Sequence, residues 1–213
     1  MEFEVVEVAQ AADGIWQGLD DAAEHAARHL ALGGLLAHPT TGVYGLGGAR
    51  GKAIDALLTR LKGRVGKTGF VYLVPDQRTA RVEFPNADWP DLAVHLAAQF
   101  WPGPLTLVLE DGTPGGVAMR AEAHPVTRQV LERLVGAMSS TSLNRTGEPA
   151  AVTSREARYV LRALPQTDRP VLWLDAGPLS GPPPSTVVRI SGETHEILRE
   201  GAVSADRIRE AIG

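Results

Sequence analysis

The chain has 213 residues, a formal net charge of −4 and 44% hydrophobic residues. Those values allow one ordinary globular core without disulfide or metal staples, and they do not mark a general nucleic-acid binder. Cysteine is absent, which excludes disulfide frameworks and thiolate chemistry. No apolar run approaches the ~20 residues needed to cross a bilayer, and acids stand where a secretory signal would carry Lys or Arg, so a cytoplasmic protein without membrane attachment is expected.

Asp21 and Glu24 have capping-box spacing and predict a helix from there to about Leu32, stopped by Gly33-Gly34. Leu35 to His38 reads as a short apolar strand running into Pro39. The glycines of Gly45-Leu46-Gly47-Gly48 read as a tight turn after a strand. Ile54, Leu57, Leu58 and Leu61 recur at the spacing of one buried helical face. Phe70 to Val74 reads as an interior strand ended by Pro75-Asp76, followed by a helix over Asp91 to Gln99 and a strand over Leu105 to Leu109. Val130, Leu131 and Leu134 mark another helix, and Thr153 with Glu156 forms a second candidate capping box. Strands over Val171 to Leu174, Thr186 to Ile190 and His195 to Leu198 complete the pattern, with Ser204 capping a last helix. Alternating helices and strands predict an α/β fold, an open twisted sheet with packed helices. Successive strands near the C-terminus make that sheet mixed. Gly181-Pro182-Pro183-Pro184 reads as a stiff extended segment, not a linker, so residues 1–213 are taken as a single domain.

Standard motifs are rejected one by one. Gly45 to Lys52 lacks the glycine and the Ser or Thr of a phosphate loop, with Leu46 and Ala53 in their places. It also has Arg50 where a dinucleotide fingerprint needs glycine. His25 and His29 share a helix face without the Glu of a zinc-protease helix, and no metal site is assigned. His124 before Pro125 reads as shaping a helix start.

Three clusters carry side chains suited to an anion. Lys62-Gly63-Arg64 offers a point charge and a planar fork, within a basic run that includes Lys52, Arg60 and Lys67. Ser139 to Asn144 supplies small hydroxyls and an amide at a strand exit. Ser185-Thr186-Val187-Val188, with Leu198-Arg199-Glu200-Gly201, is the third. Taken singly, each is also the composition of turns and caps. Together they suggest an anion site assembled from distant segments.

These segments, in this order, resemble the YrdC/TsaC family from about Gly18 to Gly201. The matching pieces are Pro39-Thr40, Val43-Tyr44-Gly45-Leu46-Gly47, Lys62-Gly63-Arg64 and Trp101-Pro102-Gly103-Pro104-Leu105-Thr106. They continue with Val117-Ala118-Met119-Arg120, His124-Pro125, Thr141-Ser142-Leu143-Asn144, Ser185-Thr186-Val187-Val188 and Leu198-Arg199. The resemblance implies the short, single-domain form: a YrdC-like sheet with a concave basic cavity. It implies synthesis of L-threonylcarbamoyladenylate from ATP, L-threonine and bicarbonate, with pyrophosphate released, for threonylcarbamoyladenosine modification of tRNA. By the same resemblance Lys62, Arg64, Ser142, Asn144 and Arg199 would contact the nucleotide, Lys62 and Arg64 serving catalysis, while Thr40, Arg120 and Ser185 would sit near the threonine. Mg²⁺ would enter with ATP, bridging phosphates and keeping several waters. Further implied partners are tRNA or double-stranded RNA and a downstream threonylcarbamoyl transferase.

The sequence departs from the family pattern in several places. Thr41-Gly42 stand where an acidic and a small residue are usual, Val65 replaces a Pro, and Thr68, Leu73, Gly116 and Leu143 also differ. Two alternatives stay open on those grounds. One is a YrdC-like paralogue that binds RNA or nucleotide without this synthesis. The other is a related acyl-adenylate chemistry with a different carbamoyl donor, as in the related domain of hydrogenase maturation proteins.

Overall fold

The computed structural model describes residues 2–63, 70–134, 136–179, 181 and 183–213. Their strands are β1 (Glu4–Glu7), β2 (Leu35–Pro39), β3 (Tyr44–Ala49), β4 (Val71–Val74), β5 (Leu105–Leu109), β6 (Val117–Ala121), β7 (Met138–Ser142), β8 (Val171–Asp175), β9 (Thr186–Ser191) and β10 (Thr194–Arg199). The helices are α1 (Leu19–Ala31), α2 (Lys52–Leu61), α3 (Gln77–Glu83), α4 (Asp91–Phe100), α5 (Pro125–Arg133), α6 (Ser154–Ala163) and α7 (Ala205–Ile212). The strands form one 10-stranded sheet in the order β1-β8-β2-β3-β7-β4-β6-β5-β9-β10. It is mixed, as expected: β8 lies parallel to β1 and β2, whereas β3 is antiparallel to both β2 and β7.

Alternate residues of the strands feed different cores. Leu35, Ala37 and Trp173 pack with α2 and α6, while Leu36, Leu172 and Leu174 pack with α1 and α5 on the opposite face. In the other half of the sheet, Leu105, Leu107, Leu109 and Met119 pack with α4 and α7. Arg120, next to Met119, therefore leaves β6 on the face that carries α5. Its register partner Leu73 belongs to the α1/α5 core. No helix among the described residues is long and apolar enough to cross a membrane.

Two expectations need correction. Asp21 and Glu24 do not cap α1: the helix starts at Leu19, and its N-cap is Gly18, with φ 65° and no side-chain cap. The apolar stripe of Ala22, Ala23, Ala26 and Leu30 begins one turn inside the helix, so the acids lie within it. The glycines at 45, 47 and 48 do not form a turn either; they lie inside β3. A Cβ at Gly47 would stand 2.4 Å from the Ser139 carbonyl oxygen, and one at Gly48 would meet Ile54 of α2 at 2.8 Å. Glycine is there for close approach within the sheet. By contrast, Thr153 and Glu156 make the full capping box of α6, and the Ser204 side chain caps α7.

Candidate active site

A cleft of about 270 Å³ opens on the α5 face, lined by residues from widely separated parts of the chain. Thr40, Arg120, Ser142, Asn144, Ser185 and Arg199 all border it. Local structure explains how each arrives there.

Thr40 stands in the four-residue turn between β2 and β3. Its amide donates to the Val43 carbonyl at 3.0 Å and its hydroxyl to the same oxygen at 2.6 Å. The next turn-closing element is the loop after β7. Ser142 donates its hydroxyl to Asn144 Oδ1 at 2.8 Å, and the Asn144 amide donates to the Glu148 carbonyl at 2.6 Å. Ser185 precedes β9 and is buried, its hydroxyl 2.9 Å from that of Thr106. Arg199 ends β10 just past a register shift against β9, a bulge that re-aims the strand end. Its Nη2 donates to the Ser185 carbonyl at 2.7 Å.

Lys62 reaches the same place from behind. Helix α2 ends at Leu61 with Lys62 as its C-cap, and Gly63 follows in the left-handed region at φ 57°. That ending buries Lys62 to 3% exposure. Its ammonium donates to the Ser142 carbonyl at 3.0 Å, to the Asn144 carbonyl at 2.7 Å and to Asn144 Oδ1. The structure thus gives Lys62 a grip on the Ser142–Asn144 segment, a role the sequence did not suggest. Arg64, along with Val65, Lys67 and Thr68, lies outside the described residues.

The electrostatics centre on Arg120. Its Nη2 donates to Glu122 Oε2, its Nε is buried without a partner, and the Glu122 side chain is fully buried. Burial alone would raise the Glu122 carboxyl. The Arg120 guanidinium, the Thr41 hydroxyl, the His124 amide and His38 more than offset this and hold it below the usual carboxylate range. Burial, and then the charge of Arg120, lower the Arg199 guanidinium from its ordinary value. Two guanidinium groups thus feel each other across one cleft, an arrangement that favours an anion between them.

Beneath the turn lies His38, fully buried, with Nε2 3.0 Å from the Ser140 hydroxyl. Burial pulls its pKa down to about 4, and the charges of Arg120 and His124 act in the same direction, against Glu122 and the Pro39 carbonyl. The imidazole is therefore neutral near pH 7. Between pH ~4 and 6.5 the unfolded chain binds a proton that the folded His38 does not, so stability should rise with pH across that window. His124, lowered chiefly by burial, acts in the same sense. The expected slope is ~1.4 kcal/mol per pH unit for each such proton. His38→Asn should flatten it by about one proton in urea unfolding measured at several pH values. An unchanged slope would refute the neutral assignment.

Glu122, His38 and Thr41 were not legible as site residues. Arg120-Ala121-Glu122 places two opposite charges two residues apart at the end of a strand, but that signal needed β6 to be recognised first. A larger cavity of about 710 Å³ lies on the other side of Thr40 and Thr41, at the carboxyl ends of the parallel strands β1, β8 and β2. Trp16, His124 and Asp175 border it, and it takes in neither arginine of the smaller cleft. The smaller cleft holds the converging polar groups and is the candidate site.

The chain is similar to known proteins over most of its length. The family model for Sua5, YciO and YrdC proteins, described as telomere recombination, matches residues 28–201. A relative from Mycobacterium tuberculosis (strain ATCC 25618 / H37Rv), named provisionally as a threonylcarbamoyl-AMP synthase, is 36% identical over 192 residues, covering 85% of this chain and 84% of its own. The threonylcarbamoyl-AMP synthase of Alkalilimnicola ehrlichii is 38% identical over 148 residues, 64% of this chain and 75% of its own. The solved structure of P. abyssi Sua5 complexed with L-threonine shares the fold, with TM-score 0.81 at 23% identity; it covers 98% of this chain, which spans only 61% of that one. E. coli YciO shares the fold with TM-score 0.73 at 20% identity, covering 94% of this chain and 95% of its own.

Proposed function

The chain belongs to the Sua5/YciO/YrdC family, and we propose that it is a nucleotidyltransferase that makes L-threonylcarbamoyladenylate from ATP, L-threonine and bicarbonate. The observation that carries this reading is the convergence of Thr40, Arg120, Ser142, Asn144, Ser185 and Arg199 on one cleft, with Lys62 fixed behind the Ser142–Asn144 segment. These residues come from positions up to 159 apart in sequence (Thr40 to Arg199).

In the proposed reaction the amine of threonine adds to the carbon derived from bicarbonate, with loss of water, to give a carbamate. A carbamate oxygen then bonds to the α-phosphorus as the bond from that phosphorus to its β-bridging oxygen breaks. Pyrophosphate leaves with the electron pair. Both reacting partners are anions, so fixed positive charge and positioning contribute more than a covalent nucleophile would.

Arg120 would take the threonine carboxylate, with Thr40 and Ser185 bordering the same cleft. Arg199, Ser142 and Asn144 would hold the nucleotide. Arg64 belongs to the same set by its motif. Hydroxyls and guanidinium groups suit phosphate oxygens more than a dehydrated cation, so Mg²⁺ would arrive on the triphosphate and supply charge neutralisation there. A tRNA-modifying role, through a transferase that consumes the adenylate, follows from this product.

The test is pyrophosphate release from ATP, threonine, labelled bicarbonate and Mg²⁺, with the labelled adenylate detected by chromatography. Release should require all three substrates. Pyrophosphate formed equally well without threonine, or none formed where a related synthase works, would overturn the reading. Salt-sensitive RNA binding without any synthesis would point instead to the paralogue.

A further inference from the structure

We propose that Glu122 is a positioning residue for the amino-acid end of the cleft, fixing Arg120 and the Thr40–Val43 turn relative to each other. This deepens the function proposed above and rests on it for the substrate readouts.

Glu122 follows β6 and is 0% exposed. Its Oε1 accepts from the Thr41 amide at 3.1 Å, the Thr41 hydroxyl at 2.6 Å, the Ala123 amide at 3.0 Å and the His124 amide at 3.0 Å. Its Oε2 accepts from Arg120 Nη2. A carboxylate that served only to close the end of β6 would need the two amides that follow it. Here Thr41, in the turn after β2, and Arg120, on β6, both line the cleft and donate to it as well. One buried charge therefore joins two walls of the site.

The consequence for binding is geometric. Arg120 has one amino group tied to Glu122, so its plane is set before a ligand arrives and little rotamer freedom is lost on binding. The Thr41 hydroxyl is also turned toward the carboxylate, so the turn that carries Thr40 is held at its centre. Thr41 stands where the sequence pattern resembled here has an acidic residue, and Glu122 brings a carboxylate to the hydroxyl of that same residue. The departure at position 41 and the glutamate at 122 are then one structural feature.

Two variants separate the links. Glu122→Gln keeps Oε1 for the backbone amides and Thr41 but turns an amide donor toward Arg120 Nη2, so it should release only the arginine. Glu122→Ala should release both. For Glu122→Gln the KM for threonine should rise by about tenfold or more while the KM for ATP stays within about twofold. Hydrogen exchange of the Thr41 amide should stay near wild type in Glu122→Gln and quicken by about tenfold in Glu122→Ala.

A parallel rise in both KM values, or a lowered melting temperature with both unchanged, would show a merely structural residue and end the proposal. So would unchanged exchange at Thr41 in Glu122→Ala. The exchange measurement needs no substrate. A wild-type chain that makes no adenylate would therefore remove the proposed function, while the link to Thr41 would still be decided.

Discussion

Arg120→Ala should cost ~3–5 kcal/mol of folding stability, in addition to its effect on threonine binding. The loss does not come from the arginine's own contacts alone. Removing it leaves Glu122 buried with a charge and no cation beside it. The carboxyl can escape by taking a proton, because without Arg120, the largest of the effects that oppose burial, its pKa should move upward. The penalty should therefore be smaller at pH 5 than at pH 8. The pair Arg120→Ala with Glu122→Gln, in which no charge is stranded, should recover part of the stability. Urea unfolding at the two pH values checks this, with the slope m confirming an unchanged unfolding reaction. A loss under ~1 kcal/mol, equal at both pH values, would mean that the pair is not coupled as its geometry states.

Lys62→Ala is expected to lower kcat/KM for ATP by about a hundredfold, ~2.7 kcal/mol of barrier. Nothing in this expectation requires Lys62 to touch the phosphates. Its ammonium ties the Ser142 carbonyl, the Asn144 carbonyl and Asn144 Oδ1 together, and the Thr146 hydroxyl in turn donates to the Lys62 carbonyl at 2.5 Å. Without it, the segment that presents Ser142 and Asn144 loses its common anchor. Arginine should not substitute, since a planar fork cannot place its donors as one rotating ammonium does. Steady-state pyrophosphate release on protein shown to be folded by circular dichroism is the measurement. Near wild-type turnover in Lys62→Ala would exclude this anchoring role.

The depth to which the sequence could be read differed from element to element. Helices α2 and α4 and strands β2, β5 and β8 showed in their sequence because one helical face, or nearly the whole of a short strand, is apolar and buried, and β9 showed because its buried residues alternate. Strand β7, Met138–Ser142, carries three serines and a threonine, and from sequence it reads only as a strand exit. It is a strand because its hydroxyls find partners inside the protein: Ser139 donates to Asp55 at 2.6 Å and Ser140 pairs with His38. Strand β3 was hidden because its glycines are there for closeness, which no propensity reports. Edge strand β1 pairs only with β8 and is half exposed, so its pattern is weak.

From the chain alone came the α/β class, the mixed sheet and the set of polar segments that the cleft gathers, because burial periodicity and motif order are written in linear sequence. The tertiary fold decided which side chains face one another. It turned Lys62 inward onto the Ser142–Asn144 backbone, placed Arg199 on the Ser185 carbonyl and set Glu122 between Thr41 and Arg120. Those contacts depend on strand register and helix ends, where a shift of one residue sends a side chain to the opposite face.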